Sequence, residues 1–212
     1  EFRRVLFRSI SNGLMLLFKS SIIRRPVFFA RRMRSAKTAG ISPKRAKLLF
    51  RVVNYFQPES ILEIGTSLGL ATSALALGNP KASITTLEGC GETANQCQLQ
   101  LQKFNINSVK SIVTEFSTYF KTINHQPEAI NLIYFDGNHS KKATLDYFEC
   151  LLPTITNDCV WIFDDIHWST EMEEAWENIK KHPKVKVTID TFQWGFVFFR
   201  KEQEKEHFII RV

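Results

Sequence analysis

Residues 60–69 read Ser-Ile-Leu-Glu-Ile-Gly-Thr-Ser-Leu-Gly and precede the helix-forming stretch 71–77. A short apolar run that ends at a glycine and leads into such a stretch predicts a strand, a tight loop and a helix. Glycine lets the backbone approach a ligand closely, and the free N–H groups at a helix start favour an anionic group. Because open parallel sheets bind ligands at the carboxyl ends of their strands, the loop is predicted to form a binding site.

The same strand–loop–helix unit recurs along the chain. Predicted strands span 60–64, 83–87, 109–113, 130–135 and 159–163, and predicted helices span 71–77, 92–104, 141–152 and 170–181, with a further helix between Pro43 and Pro58. This alternation implies a parallel, doubly wound sheet. The last two apolar runs, 185–190 and 195–200, are too close for a crossover helix and must pair antiparallel. We therefore predict an α/β fold: a seven-stranded, mostly parallel Rossmann-like sheet with a C-terminal antiparallel hairpin.

The composition is that of one α/β domain. The chain has 212 residues, of which 44% are hydrophobic and 12% aromatic, enough apolar material for a core. No stretch approaches the roughly 18 uninterrupted apolar residues of a membrane-spanning helix. The four cysteines lack Cys-x-x-Cys spacing, which disfavours a zinc site or a secreted disulfide framework. This cysteine usage predicts a cytoplasmic protein with reduced thiols.

Positive charge is concentrated near the N-terminus. The net charge is +7, yet residues 10–58 hold eleven Lys or Arg and no acid, whereas residues 59–212 hold 14 basic and 20 acidic residues. We predict that residues 10–41 form a basic arm or lid that is attracted to the acidic remainder and closes over the binding cleft. The alternative is an arm that meets an anionic membrane surface. A nucleic-acid partner is not expected.

The first nine residues, Glu-Phe-Arg-Arg-Val-Leu-Phe-Arg-Ser, resemble a translated sequencing adapter. They are excluded from the fold prediction, and the natural N-terminus is expected to be missing. The predicted organisation is therefore an adapter-like segment at 1–9, the basic arm or lid at 10–41, and one α/β domain at 42–212.

The first loop does not match a dinucleotide site well. The Gly-x-Gly-x-x-Gly pattern would need glycine at positions where this chain has Ser67 and Leu70. Glu88 ends the second strand, where an acid accepts hydrogen bonds from ribose hydroxyls in a dehydrogenase or in other nucleoside-binding enzymes. An NAD(P)-binding oxidoreductase therefore remains an alternative function.

The loop instead resembles the Glu-x-Gly-x-x-x-Gly pattern of class I S-adenosylmethionine-dependent methyltransferases, with Glu63, Gly65 and Gly69 in the three motif positions. The resemblance covers about residues 42–212 and is greatest to small-molecule O-methyltransferases of the macrocin and catechol type. It implies methyl transfer from S-adenosylmethionine to an oxygen nucleophile of a small molecule. The residues that it places around the cofactor are Glu63, Gly65, Thr66, Ser67, Gly69, Glu88, Glu115, Phe116 and Asp136.

Acidic residues follow the fourth and fifth strands, as in that family. Asp136 ends the fourth strand and Asp164 and Asp165 end the fifth, so the three carboxylates are expected to converge. Oxygen ligands suit Mg²⁺, which would lower the pKa of the acceptor hydroxyl. In the alternative, an Asp caps the next helix and Asp136 touches only the cofactor.

Two histidines lie just beyond these strand ends. A neutral imidazole at His139 or at His167 could take the acceptor proton, so both are predicted to be catalytic together with Asp136. A third class of function stays open, in which the fold docks on a membrane and catalyses nothing.

Overall fold

The computed structural model describes residues 41–123 and 129–211. Its helices are α1 (Pro43–Phe56), α2 (Leu70–Gly78), α3 (Gly91–Lys103), α4 (Phe116–Ile123), α5 (Lys141–Leu151) and α6 (Thr170–Lys181), with a 3₁₀ turn at Leu152–Thr154. Its strands are β1 (Ser60–Ile64), β2 (Ser83–Glu88), β3 (Val109–Val113), β4 (Leu132–Phe135), β5 (Val160–Asp164), β6 (Val187–Asp190), β7 (Trp194–Phe198) and β8 (Glu206–Ile209). The predicted alternation of strands and helices is confirmed, and α4 is an addition to it.

The strands form one sheet in the order β3-β2-β1-β4-β5-β7-β6-β8. The neighbours from β3 to β5 are parallel, and β7 is antiparallel to both β5 and β6. The predicted mostly parallel sheet with a C-terminal antiparallel hairpin is thus confirmed. The predicted number of seven strands was one too few, because β8 adds a parallel edge strand beside β6. All four residues of β8 are exposed, so it lacks the buried apolar pattern that marks a strand in sequence.

Helix α1 shows how the sequence sets a boundary. The Ser42 side chain accepts the N–H of Arg45 at 3.4 Å, and Pro43 occupies the first turn, where its missing N–H costs nothing. The helix ends at Gln57, which adopts a left-handed conformation and donates its N–H to the Val53 carbonyl. Buried side chains at helical spacing hold α1 to the sheet: Ala46, Leu49, Val52 and Val53.

Helices cover both faces of the sheet, so β4 and β5 are buried along their whole length. One core lies between α1, α2 and side chains such as Tyr134, Ile162 and Trp194. The other lies between α5, α6 and side chains such as Ile133 and Trp161. This double burial explains why strand runs in the sequence are continuously apolar.

Several predictions concern residues outside the described ranges. The adapter-like segment and all but one residue of the predicted arm or lid lie within 1–40, which the structure does not describe. Within the described ranges, no helix combines the length and the hydropathy needed to cross a membrane. Cytoplasmic location and the membrane-facing arm stay predictions.

Candidate active site

The loop between β1 and α2 lies against the end of β4. Gly65 has a φ of 100°, and a Cβ atom built on it would lie 2.2 Å from the carbonyl oxygen of Asp136. Gly69, with a φ of 77°, forms the N-cap of α2. A side chain at position 65 would both strain the backbone and force the two strand ends apart. Two predicted cofactor residues, Gly65 and Asp136, therefore lie together at the carboxyl edge of the sheet.

Glu63 lies beneath this loop in the core. Its Oε2 atom accepts the hydroxyls of Thr72 at 2.5 Å and Thr86 at 2.6 Å, while its Oε1 atom is buried without a partner among the described residues. The Thr66 hydroxyl lies 2.5 Å from that of Thr86. Burial raises the pKa of Glu63 from 4.5 to about 7. The side chains of Glu63 and Thr66 thus support the loop from below.

Glu88 ties the loop to the end of β2. Its two carboxylate oxygens accept the backbone N–H groups of Ser67 at 2.9 Å and Cys90 at 3.0 Å. The next residue, Gly89, has open space around the position of a Cβ atom. An acid held at a strand end beside open space is suited to bind a diol.

The ends of β3 and β4 continue the same edge. Glu115 is exposed and follows Thr114, whose N–H donates to the Glu88 carbonyl at 2.9 Å. The Phe116 ring packs so closely on Gly137 that a Cβ there would lie 2.7 Å from Cε2 of the ring. The predicted cofactor residues thus follow one another along the ends of β1, β2, β3 and β4.

Asp136, His139 and Asp165 come together at the ends of β4 and β5. His139 Nε2 lies 3.7 Å from Asp136 Oδ1 and 4.0 Å from Asp165 Oδ2, and all three side chains are partly exposed. Asn138 and Asp165 adopt left-handed φ values of 54° and 53°, which are sparsely populated by residues other than glycine. The histidine therefore lies between two carboxylates on a strained, solvent-accessible edge.

The two carboxyl groups of this cluster hold protons more tightly than usual. Burial, followed by the charge of neighbouring Asp164, raises the pKa of Asp136 well above its ordinary value. The same two causes raise the pKa of Asp165. The carboxylates converge as predicted, and their mutual repulsion appears in these shifts.

Asp164 is buried behind the cluster and makes two contacts that the sequence did not predict. It forms an ion pair with Arg45 of α1, and it accepts the Tyr134 hydroxyl at 3.0 Å. Sequence reasoning missed Tyr134 because it lies in an apolar strand run. The signal for Arg45 was present only in general form, as a basic, acid-free segment before an acidic domain.

The predicted Mg²⁺ site does not fit these residues. Asp164 Oδ1 accepts hydrogen bonds from the Arg45 guanidinium and, at 2.7 Å, from the N–H of Asp165. These two donors occupy the positions around Oδ1 that a metal ion would need. Within residues 41–123 and 129–211, no group of three His, Cys, Asp or Glu side chains is arranged to hold a metal ion. We therefore derive no step through a metal at Asp136, Asp164 and Asp165.

His167 is held apart in an ion pair network. Its Nδ1 atom lies 3.1 Å from Glu173 and its Nε2 atom 2.8 Å from Asp190, and its ring stacks on Phe192. Burial lowers the pKa of His167, but the bonds to Asp190 and Glu173 outweigh it and raise the pKa overall. With both nitrogens engaged, this ring has no free site for an acceptor proton.

A cavity of about 300 Å³ lies beside Arg45, the ion-pair partner of Asp164. Arg45 and Trp194 line it, and Trp194 lies opposite Asp164 in the β5–β7 ladder. Phe192 and Arg211 contribute further walls. The volume is at the lower end of that of small-molecule sites.

Comparison with known proteins agrees with this geometry. The sequence model of a family described as "Methyltransferase domain" matches residues 62–166, which include the Gly65 loop and the ends of β2, β3, β4 and β5. The structure is similar to the O-methyltransferase TomG of Streptomyces achromogenes, crystallised with S-adenosylmethionine (TM-score 0.68, 17% identity, 89% of this chain and 96% of that chain covered).

Two further structures show the same fold. One is an O-methyltransferase from Bacillus cereus in complex with S-adenosylhomocysteine (TM-score 0.67, 20% identity, 87% and 96% covered). The other is the methyltransferase PaMTH1 of Podospora anserina, also bound to S-adenosylhomocysteine (TM-score 0.72, 16% identity, 91% and 89% covered). The family match assigns residues 62–166 to a methyltransferase domain, and the fold that the chain shares with these methyltransferases agrees with that assignment.

Proposed function

We propose that this enzyme transfers the methyl group of S-adenosylmethionine to a hydroxyl oxygen of a small molecule. The observation that carries the proposal is the position of His139 between Asp136 and Asp165. This arrangement adjoins the loop that begins at Gly65, so a proton acceptor and a cofactor loop share one sheet edge. Solved structures of similar fold include O-methyltransferases, which supports oxygen as the acceptor atom.

The residues along the edge fit the cofactor. Glu88, which adjoins open space at Gly89, would hold the ribose hydroxyls, and Phe116 would pack against the adenine ring near Glu115. The Gly65 loop would lie along the amino-acid end. When bound, S-adenosylmethionine supplies an electrophilic methyl group on a positively charged sulfur.

The chain's own residues prepare the acceptor. His139 Nε2 would receive the proton of the acceptor hydroxyl, which makes the oxygen a better nucleophile. The imidazolium so formed lies within 4.0 Å of carboxylate oxygens of Asp136 and Asp165, which stabilise its charge. His167 is not needed in this scheme, since both its nitrogens are bonded.

The cavity beside Arg45 supports a small-molecule acceptor. Its aromatic walls, Phe192 and Trp194, would pack on an apolar or aromatic body, and Thr191 and Gln193 offer hydrogen bonds. An acceptor seated there would lie beside Arg45, which pairs with Asp164 behind the acidic cluster.

Turnover of the full chain tests the proposal. We expect S-adenosylhomocysteine to form from S-adenosylmethionine with phenolic or alcoholic acceptors, and His139→Gln to lower kcat by about 10²-fold or more with unchanged S-adenosylhomocysteine affinity. The matched control is His207→Gln, because His207 lies on edge strand β8, where its Nδ1 atom is hydrogen-bonded to the Thr188 hydroxyl. Transfer to amines or thiols in preference to hydroxyls would contradict the oxygen acceptor, and full activity of His139→Gln would contradict the base.

A further inference from the structure

The guanidinium group of Arg45, a residue of helix α1, lies at the acidic end of β5. Arg45 lies in the first turn of α1, and its Nη2 atom pairs with Asp164 Oδ1. The side chains are only 19% and 5% exposed, so the pair is largely shielded from solvent. Helix α1 packs on one face of the sheet, and the Arg45 side chain extends from it to Asp164 at the carboxyl end of β5.

The pair uses the capacity of Asp164 to bind a cation. A carboxylate offers about four acceptor positions, and Asp164 fills three of them with Arg45, the N–H of Asp165 and the Tyr134 hydroxyl. A Mg²⁺ ion bound to Oδ1 would lie about 2.1 Å from that oxygen. It would then sit beside a guanidinium of the same sign, so the ion and Arg45 exclude each other.

The Arg45 side chain is also fixed in place. Its guanidinium carbon lies 5.2 Å from the centre of the Trp194 ring, and Trp194 is 1% exposed and opposite Asp164 in the ladder. Swinging away would leave Asp164 buried without its counter-charge, which is costly.

We propose that Arg45 is the resident cation of this site: it occupies the place that a divalent metal would take at Asp164, and the enzyme works without such a metal. Arg45 is a positioning residue that neutralises Asp164 and leaves Asp136, His139 and Asp165 to face the acceptor. The inference rests on the proposed function only for its activity readout, since metal binding is measured without turnover.

Titration with Mn²⁺, followed by its electron paramagnetic resonance signal, tests the proposal on the full chain. We expect wild type and the control Lys44→Met, which removes an exposed charge next to Arg45, to bind Mn²⁺ no tighter than about millimolar. We expect Arg45→Met to bind it about tenfold or more tightly, with competition by Mg²⁺, and Arg45→Lys to restore the weak binding. Far-ultraviolet circular dichroism shows whether each variant is folded.

Two results would overturn the proposal. One is micromolar Mn²⁺ binding by wild type that is lost in Asp165→Asn, a measurement that does not depend on whether Arg45→Met folds. The other is folded Arg45→Met that binds Mn²⁺ no better than wild type. Methyl transfer should change less than about twofold between chelator and added Mg²⁺. No transfer under either condition would instead contradict the proposed function and leave the Mn²⁺ result standing.

Discussion

Replacing Glu63 with Gln should remove one defined contribution to the pH dependence of folding stability. Glu63 is fully buried, and its pKa rises from 4.5 to about 7 in the folded chain. Because the folded pKa is the higher one, the associated stability is present below pH 4.5 and is lost as the pH rises through about 7. At about 1.4 kcal/mol per pKa unit, the loss between pH 5 and pH 8 is roughly 2–3 kcal/mol.

Gln resembles the protonated acid, because its side-chain oxygen can accept hydrogen bonds from the hydroxyls of Thr72 and Thr86. Its amide nitrogen would take the place of Glu63 Oε1, which has no partner among the described residues. Urea unfolding of both proteins from pH 5 to pH 8 gives the difference directly, with m-values compared at each pH. The control is Glu59→Gln, which removes an exposed carboxylate just before β1. If the stability difference between wild type and Glu63→Gln stays constant over this range, Glu63 does not titrate as the structure implies.

Two further variants test the site by other means. Gly65→Ala should lose several kcal/mol of stability or all cofactor binding, because its Cβ would lie 2.2 Å from the Asp136 carbonyl, whereas Gly91→Ala, whose Cβ would lie 3.9 Å from its nearest neighbour on Val113, should do neither; equal thermal melting and binding for both would refute the close approach. Asp190→Asn should lower the raised pKa of His167 by removing one of its partners, which an NMR titration of the imidazole signals measures; an unchanged midpoint would show that Glu173 alone sets it.

Much of the fold could be predicted because local patterns and global topology agree. The bounds of β1, β3 and α6 follow directly from apolar runs, glycine and caps. Strand β8 could not be found in this way, since an exposed edge strand needs no apolar face. Helix α4 begins at Phe116, within the segment that the resemblance had marked only as a cofactor contact.

The site was predictable where it depends on strand order and unpredictable where it depends on side-chain packing. Parallel strands place Asp136 and Asp165 at one edge whatever their rotamers. The pairing of Arg45 with Asp164 spans 119 residues of sequence and follows from how α1 lies on the sheet, which no spacing rule encodes. His167 likewise appeared available in sequence and is bonded by Asp190, 23 residues away.

The central claim is that the carboxyl edge of this sheet binds S-adenosylmethionine for methyl transfer. Isothermal titration of the full chain with S-adenosylhomocysteine, and separately with NAD, tests it most directly. We predict an S-adenosylhomocysteine dissociation constant on the order of micromolar, weakened in Glu88→Ala, whose carboxylate would hold the ribose. Tighter binding of NAD than of S-adenosylhomocysteine, or no binding of S-adenosylhomocysteine at all, would contradict the account.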